Sequence, residues 1–232
     1  MPLPVSLRNG ENFDGTSLIY NENSFTRFDH WDGQRMRMLE GRIGDRPAIK
    51  VAPQTPGLQT VLYESTTSVL TYREWEKFIA FVEHKDFDGA LEAHDTRGLS
   101  REEFGEAYSR HAKMLFCSDI CDGQDRIHGL ETEIVALTNP YTPDLKSMQV
   151  QVYYRSETLP DQQVEIFARD GQGVKVSTVK TDSAGVATIP IEPGTEYLLD
   201  AVTLREPSPD LAEARDVVWE TLWAALTFKT PD

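Results

Sequence analysis

The chain has 232 residues, 39% of them hydrophobic and 9% aromatic, which suits packed cores and counts against disorder. Its 38 acids outnumber its 23 bases, for a net charge of −15. That balance disfavours nucleic acid and anionic membrane surfaces, both of which are met by Lys and Arg. No apolar run approaches the roughly 18 residues of a membrane span, so direct membrane insertion is not expected.

In chain order, residues 1–70 read as strands broken by turns. "PVSLR" alternates and is expected to turn at Asn9-Gly10. "SFTRFDHWDGQRMRML" predicts two strands around Asp32-Gly33, a hairpin signal. "RPAIKVAP" and "LQTVLYESTTSVL" continue the pattern, with Val61 and Tyr63 facing one way and Leu62 and Glu64 the other. The period then changes. Trp75, Phe78, Ile79 and Val82 fall on one helical face, and Thr71 with Glu74 has the spacing of a capping box. "FDGALEAHDTRG" reads as a short helical turn ending at Gly98. "LSREEFGEAYSRHAKMLF" is expected to be a second helix. Ser100 and Glu103 would box its start, and Phe104, Tyr108, His111 and Leu115 would form its stripe.

"LETEIVALTNPY" predicts a strand stopped at Asn139-Pro140, and "TPDLKS" a boundary. From Met148 the chain reads as strands separated by "DGQG", "TDSAG" and "PGT", turn chemistry at sandwich spacing. "EPSPDLAEARD" reads as an acidic loop before a closing strand in which Leu222, Ala224, Leu226 and Phe228 alternate. The expected fold is mainly β: two β-sandwich modules, residues 1–143 and 146–232, with a two-helix insertion at about 71–116 in the first.

Five stretches, in order, carry a resemblance: "RNGENFDG", "VLYEST", "SRHAKML", "RIHGLETEIVALTNPY" and "VKTDSAGVATIPIEPGTEYLLDA". Together they resemble the NikM-like bacterial periplasmic family, whose members carry labels of periplasmic components of cobalt or nickel transport. The C-terminal module is also similar to transthyretin-like and carboxypeptidase-regulatory domains. The resemblance implies immunoglobulin- or transthyretin-like sandwiches and a periplasmic location. Members of this family usually continue upstream into a signal peptide and a histidine-bearing strand. This chain is expected to begin downstream of that strand, so any metal ligand drawn from its histidine is expected to be missing.

The residues themselves offer one concentrated motif, "FCSDICDGQDRIHG". Cys117 and Cys121, with His128 downstream and His111 upstream, supply the donor types that nickel, cobalt and zinc favour. Three readings stand: a disulfide fixing the turn, a metal site on His111, Cys117, Cys121 and His128, or free thiols. The disulfide is preferred, because the second tight ligand pair of a structural zinc site is missing and the spacing is not Cys-x-x-Cys. His30 reads as an exposed hairpin residue. His84 and His94 read as solvated helix ends. Glu131 and Glu133 are expected either to receive Arg126 or to act as a carboxylate pair.

The expected function is a non-enzymatic, exported accessory to nickel or cobalt uptake or handling, with a membrane metal transporter or other envelope protein as partner. The rivals are a periplasmic β-sandwich that recognises a protein or glycan, and a hydrolase using Glu131 or Glu133. An exposed patch around Trp219 or Trp223 would favour recognition.

Overall fold

The computed structural model describes residues 2–232. Its first part runs Leu3–Val5 (β1), Leu7–Glu11 (β2), Asp14–Leu18 (β3), Phe25–Trp31 (β4), Met36–Met38 (β5), Ile49–Val51 (β6), Gly57–Ser65 (β7) and Ser68–Tyr72 (β8). Two helices come next, Trp75–His84 (α1) and Ala90–Thr96 (α2). Then come Phe104–Ser118 (β9), Thr132–Ala136 (β10), Ser147–Tyr154 (β11), Glu157–Thr158 (β12), Gln163–Asp170 (β13), Gly173–Lys180 (β14), Val186–Pro190 (β15) and Glu196–Arg205 (β16). Pro209–Arg215 (α3) and Trp219–Lys229 (β17) end the chain. The protein is mainly β, with sandwich-like sheets. The largest sheet has the order β14-β13-β16-β17-β9-β7-β4-β5, and β8 also pairs with β9. A second sheet centres on β11, flanked by β10, β12 and β15.

Two compact units divide the chain. The first is Met1–Thr66, Arg110–Ala201 and Ala224–Asp232; the second is Thr67–Ser109 and Val202–Trp223. The sequence boundary at 143–146 lies inside the first unit. That unit has two apolar cores. One gathers Ile134, Met148, Val150, Val152, Val164, Ile166, Ile189, Leu199 and Leu226, the alternating positions expected of the C-terminal strands. The other gathers Val5, Tyr20, Phe28, Val51, Val61, Tyr63 and Phe116. The second unit is built on rings: Tyr72, Phe78, Phe104 and Trp219 are buried together with Val82. Phe78 and Val82 are the buried residues of α1, on the face that the helical spacing marks.

The largest departure lies at residues 99–116, where the expected second helix is instead most of the 15-residue strand β9. β9 pairs with β8 from Tyr72↔Phe104 to Ser68↔Tyr108 and with β7 from Glu64↔His111 to Gly57↔Ser118. His111, Lys113 and Leu115 are buried at alternate positions, and Glu106 is buried too. Polar side chains on a buried face hide a period of two, while Phe104 and Tyr108 mimic a helical repeat by chance. The supposed capping box is a turn: Ser100 Oγ accepts from Glu102 N at 3.0 Å, and Glu103 takes a left-handed φ of 49°.

Three smaller corrections have the same kind of cause. Asn9-Gly10 is strand, and the turn falls at Asn12-Phe13 with φ of 54° and 60°, the sign pattern of a type I′ hairpin. Gly10 faces Gly15 so closely that a Cβ on it would sit 2.0 Å from the Asp14 carbonyl oxygen, so this glycine serves close approach. Thr71 lies in β8, and α1 starts after Glu74 without a side-chain cap. The acidic loop contains α3: Ser208 Oγ accepts from Leu211 N and Pro209 opens the first turn, an N-terminal signal of the ordinary kind.

Candidate functional site

Cys117 ends near the last rung of β9 and is disulfide-bonded to Cys121, with the Cα atoms 5.2 Å apart. Sulfurs bonded to each other offer no thiolate to a metal. The turn they close is tied down independently. Asn139 Nδ2 donates to the Cys121 and Gly123 carbonyls at 2.6 and 3.0 Å, and Leu58 N donates to the Asp122 carbonyl at 2.8 Å. His111 is buried in β9 with Nδ1 3.8 Å from Glu64 Oε1. His128 lies in the loop before β10, its Nε2 3.7 Å from Asp125 Oδ1, its ring edge-on to Trp31. Among the described residues, no group of three or more His, Cys, Asp or Glu side chains is arranged to hold a metal.

What the motif does build is a buried ionic knot in the first unit. Lys113 Nζ donates to Asp125 Oδ2 at 2.7 Å, to Glu133 Oε1 at 3.0 Å and to the Arg126 carbonyl at 3.2 Å. All three charged side chains are within 1% of complete burial. Glu133 also accepts from the backbone N–H groups of His128, Gly129 and Leu130 at 2.9–3.3 Å. Asp125 Oδ2 takes the Ala136 N–H at 2.9 Å. Burial alone would raise the Asp125 pKa. The Lys113 charge, with the nearby His128 ring and the hydrogen bonds from Lys113 and the Ala136 N–H, outweighs it and holds the carboxyl below its ordinary value. Asp125 Oδ1 and His128 Nε2 make no hydrogen bond, although they face each other across 3.7 Å.

The expected roles of Glu131, Glu133 and Arg126 change accordingly. Glu133 is occupied by Lys113 and the loop backbone. Glu131 pairs instead with Arg155 at 3.0 Å. Arg126 lies over the Trp31 ring, 5.1 Å from its centroid.

The second unit holds two further polar constellations. His94, expected at a solvated helix end, is fully buried. Its Nδ1 accepts from Trp219 Nε1 at 3.0 Å and its Nε2 lies 3.0 Å from the Ser100 carbonyl. An indole N–H can only donate and a carbonyl can only accept, so the ring is neutral with its proton on Nε2. Burial pushes its pKa down, against the pull of the Ser100 carbonyl. Glu106 is 1% exposed. Its Oε2 accepts from the Tyr72 hydroxyl at 2.9 Å and its Oε1 from the Thr221 hydroxyl at 2.6 Å. Trp223 Nε1 donates in turn to Thr221 Oγ1 at 3.0 Å. Burial raises the Glu106 pKa to about 7, the two hydroxyls offsetting part of the effect. In the first unit His30, expected to be exposed, is 3% exposed and bonds Gln59 Oε1 at 2.7 Å.

The aromatic surfaces considered for recognition are already in use. Trp219 is buried. Trp223 stacks on Phe81 and lies beneath Lys85 Nζ at 5.0 Å. A long strand edge is exposed elsewhere in the first unit. β14 pairs with β13 through all eight residues, from Gln163↔Lys180 to Asp170↔Gly173. Among the described residues it pairs with no other strand. Six of its eight residues are exposed, and Val176 is 49% exposed. The opposite end of the same sheet, β5, has only three residues.

Comparison with protein families matches residues 1–205 to the family described as "Domain of unknown function (DUF4198)". No curated protein matches the chain.

Proposed function

We propose, from the premise that the chain belongs to the DUF4198 family, that it is an exported, non-enzymatic binding module. Its β14 edge, which among the described residues pairs with no strand but β13, takes up an extended segment of another envelope protein. The observation that supports this reading is the edge itself. It has eight residues, no proline and an unbroken register with β13. Proteins normally blunt such edges, because unpaired N–H and C=O groups are a template for another chain. Strand addition takes its affinity from those groups and its specificity from alternate side chains, here Val174, Val176 and Thr178 on one face. The disulfide supports an oxidising compartment.

The test compares the wild-type chain with Val176→Lys, which adds an edge charge and keeps the internal ladder. Co-purification from native envelopes is expected to lose a specific protein in the variant, with its melting temperature unchanged. Retention of the same protein at the same yield contradicts the edge.

A second reading is the accessory role in nickel or cobalt handling. It is supported by the NikM-like order of the five stretches and by the net charge of −15, which raises the local concentration of cations. The transthyretin-like description of the C-terminal strands belongs with it and has the same support. Calorimetric titration with nickel, cobalt, copper and zinc, on oxidised and reduced protein, tests this role. Tight one-to-one binding only after reduction places the metal on Cys117 and Cys121. Binding indifferent to redox state moves it to the histidines. No binding in either state contradicts metal handling.

A further inference from the structure

Glu106 is buried in the second unit, and among the described residues no cation lies against its carboxylate. Its two oxygens meet two hydroxyls, Tyr72 from β8 and Thr221 from β17. As a carboxylate it accepts from both, and every polar hydrogen in the group has a partner, since Trp223 Nε1–H is taken by Thr221 Oγ1. The cost of that state is a desolvated charge. As a neutral acid Glu106 must donate to one of the hydroxyls, whose own hydrogen is then displaced. The cost of that state is one unpaired donor. Neither protonation state satisfies both burial and hydrogen bonding.

We propose that Glu106, Tyr72 and Thr221 form a proton-operated switch that joins β8 to β17, with the proton taken up at Glu106 Oε2 and the Tyr72 hydroxyl as the group that turns. Thr221 is completely buried, so a hydrogen displaced there has nowhere to go. Tyr72 is 8% exposed and sits on β8, which among the described residues pairs only with β9. The charged and titratable groups around the site are few. β8 contributes Tyr72, whose own pKa burial pushes up. β17 contributes Glu220, which is turned away to Arg205 at 2.8 and 2.9 Å. Lys85, after α1, lies over Trp223, and β9 adds Tyr108 two residues on. A raised Glu106 pKa of about 7 is the expected companion of two states so closely matched. This inference is independent of the edge-binding reading.

The experiment monitors the Glu106 side-chain carboxyl carbon of the whole protein by NMR from pH 4 to 9, with the resonance assigned by its absence in Glu106→Gln. The expected midpoint lies near 7, and the Tyr72 ring resonances move with it. Tyr72→Phe removes a donor to the carboxylate and is expected to raise the midpoint further. A wild-type midpoint near the ordinary glutamate value of about 4.3 overturns the switch. So does a neutral midpoint that leaves Tyr72 unmoved. The wild-type titration decides the matter even where Tyr72→Phe fails to fold.

Discussion

Lys113→Met is expected to destabilise the first unit by roughly 3–5 kcal/mol, because it strands two buried carboxylates without their cation. Lys113 is the only cation contacting both Asp125 and Glu133 among the described residues. Its loss also removes the largest cause lowering the Asp125 pKa, so Asp125 should then take up a proton at higher pH. Linkage sets the wild-type sign. A carboxyl with a depressed folded pKa contributes stability that is complete above its unfolded value of about 3.9 and is lost as pH falls through the folded value. Chemical denaturation at neutral pH and again near pH 3 checks both statements. The variant should lie far below wild type at neutral pH, and the gap should narrow in acid. Equal stability of the two proteins at neutral pH would mean that the knot contributes nothing net.

An apolar replacement of the whole knot is not expected to restore stability. Glu133 also holds three successive backbone N–H groups of the loop, and these would be left unpaired. This explains why the motif "CDGQDRIHG" resembles a site in the sequence. Asp125 and the loop backbone at Arg126 and His128 close over a buried lysine and Glu133, and Lys113 sits on a strand that reads as a helix. A lysine inside an apparently amphipathic helix gives no hint of burial. The preferred disulfide reading was legible because two cysteines with three residues between them can be bridged through a turn. The partners of His128 were not legible, since Asp125 meets it only after the loop folds back.

His94→Ala is the second large effect expected, a loss of roughly 2–5 kcal/mol. It leaves a buried indole N–H and a carbonyl unsatisfied and opens a cavity among rings. His94 contacts Trp75 and Phe104 at ring-centroid distances of 4.7 and 4.8 Å. The wild type should also weaken in mild acid, because protonating the ring costs more in the fold than in water. Its folded pKa lies below the ordinary value of about 6.5, so the unfolded chain binds the proton first. Stability is complete above pH 6.5 and declines as pH falls toward the folded pKa. That part of the acid dependence should vanish in the variant. If melting temperatures of wild type and variant run parallel between pH 7 and 5, His94 is not held neutral.

The C-terminal strands were legible almost residue by residue, because Met148, Val150 and Val152 alternate with polar neighbours and their turns carry glycine and aspartate. The face of α1 was legible for the same kind of reason. β9 was not, because four of its buried positions are Glu106, Ser109, His111 and Lys113. The edge of β14 was visible only as one more strand. No pattern in "GVKVSTVK" says that, among the described residues, β13 is the only strand paired with it.

The most direct test of the edge is site-specific photocrosslinking in native cells. A photoreactive residue is placed at Thr178 in β14 and, separately, at Met38 in β5. An adduct to one envelope protein from position 178, suppressed by Val176→Lys and absent from position 38, is the predicted result. No adduct from position 178, or the same adduct from position 38 alone, would contradict binding along β14.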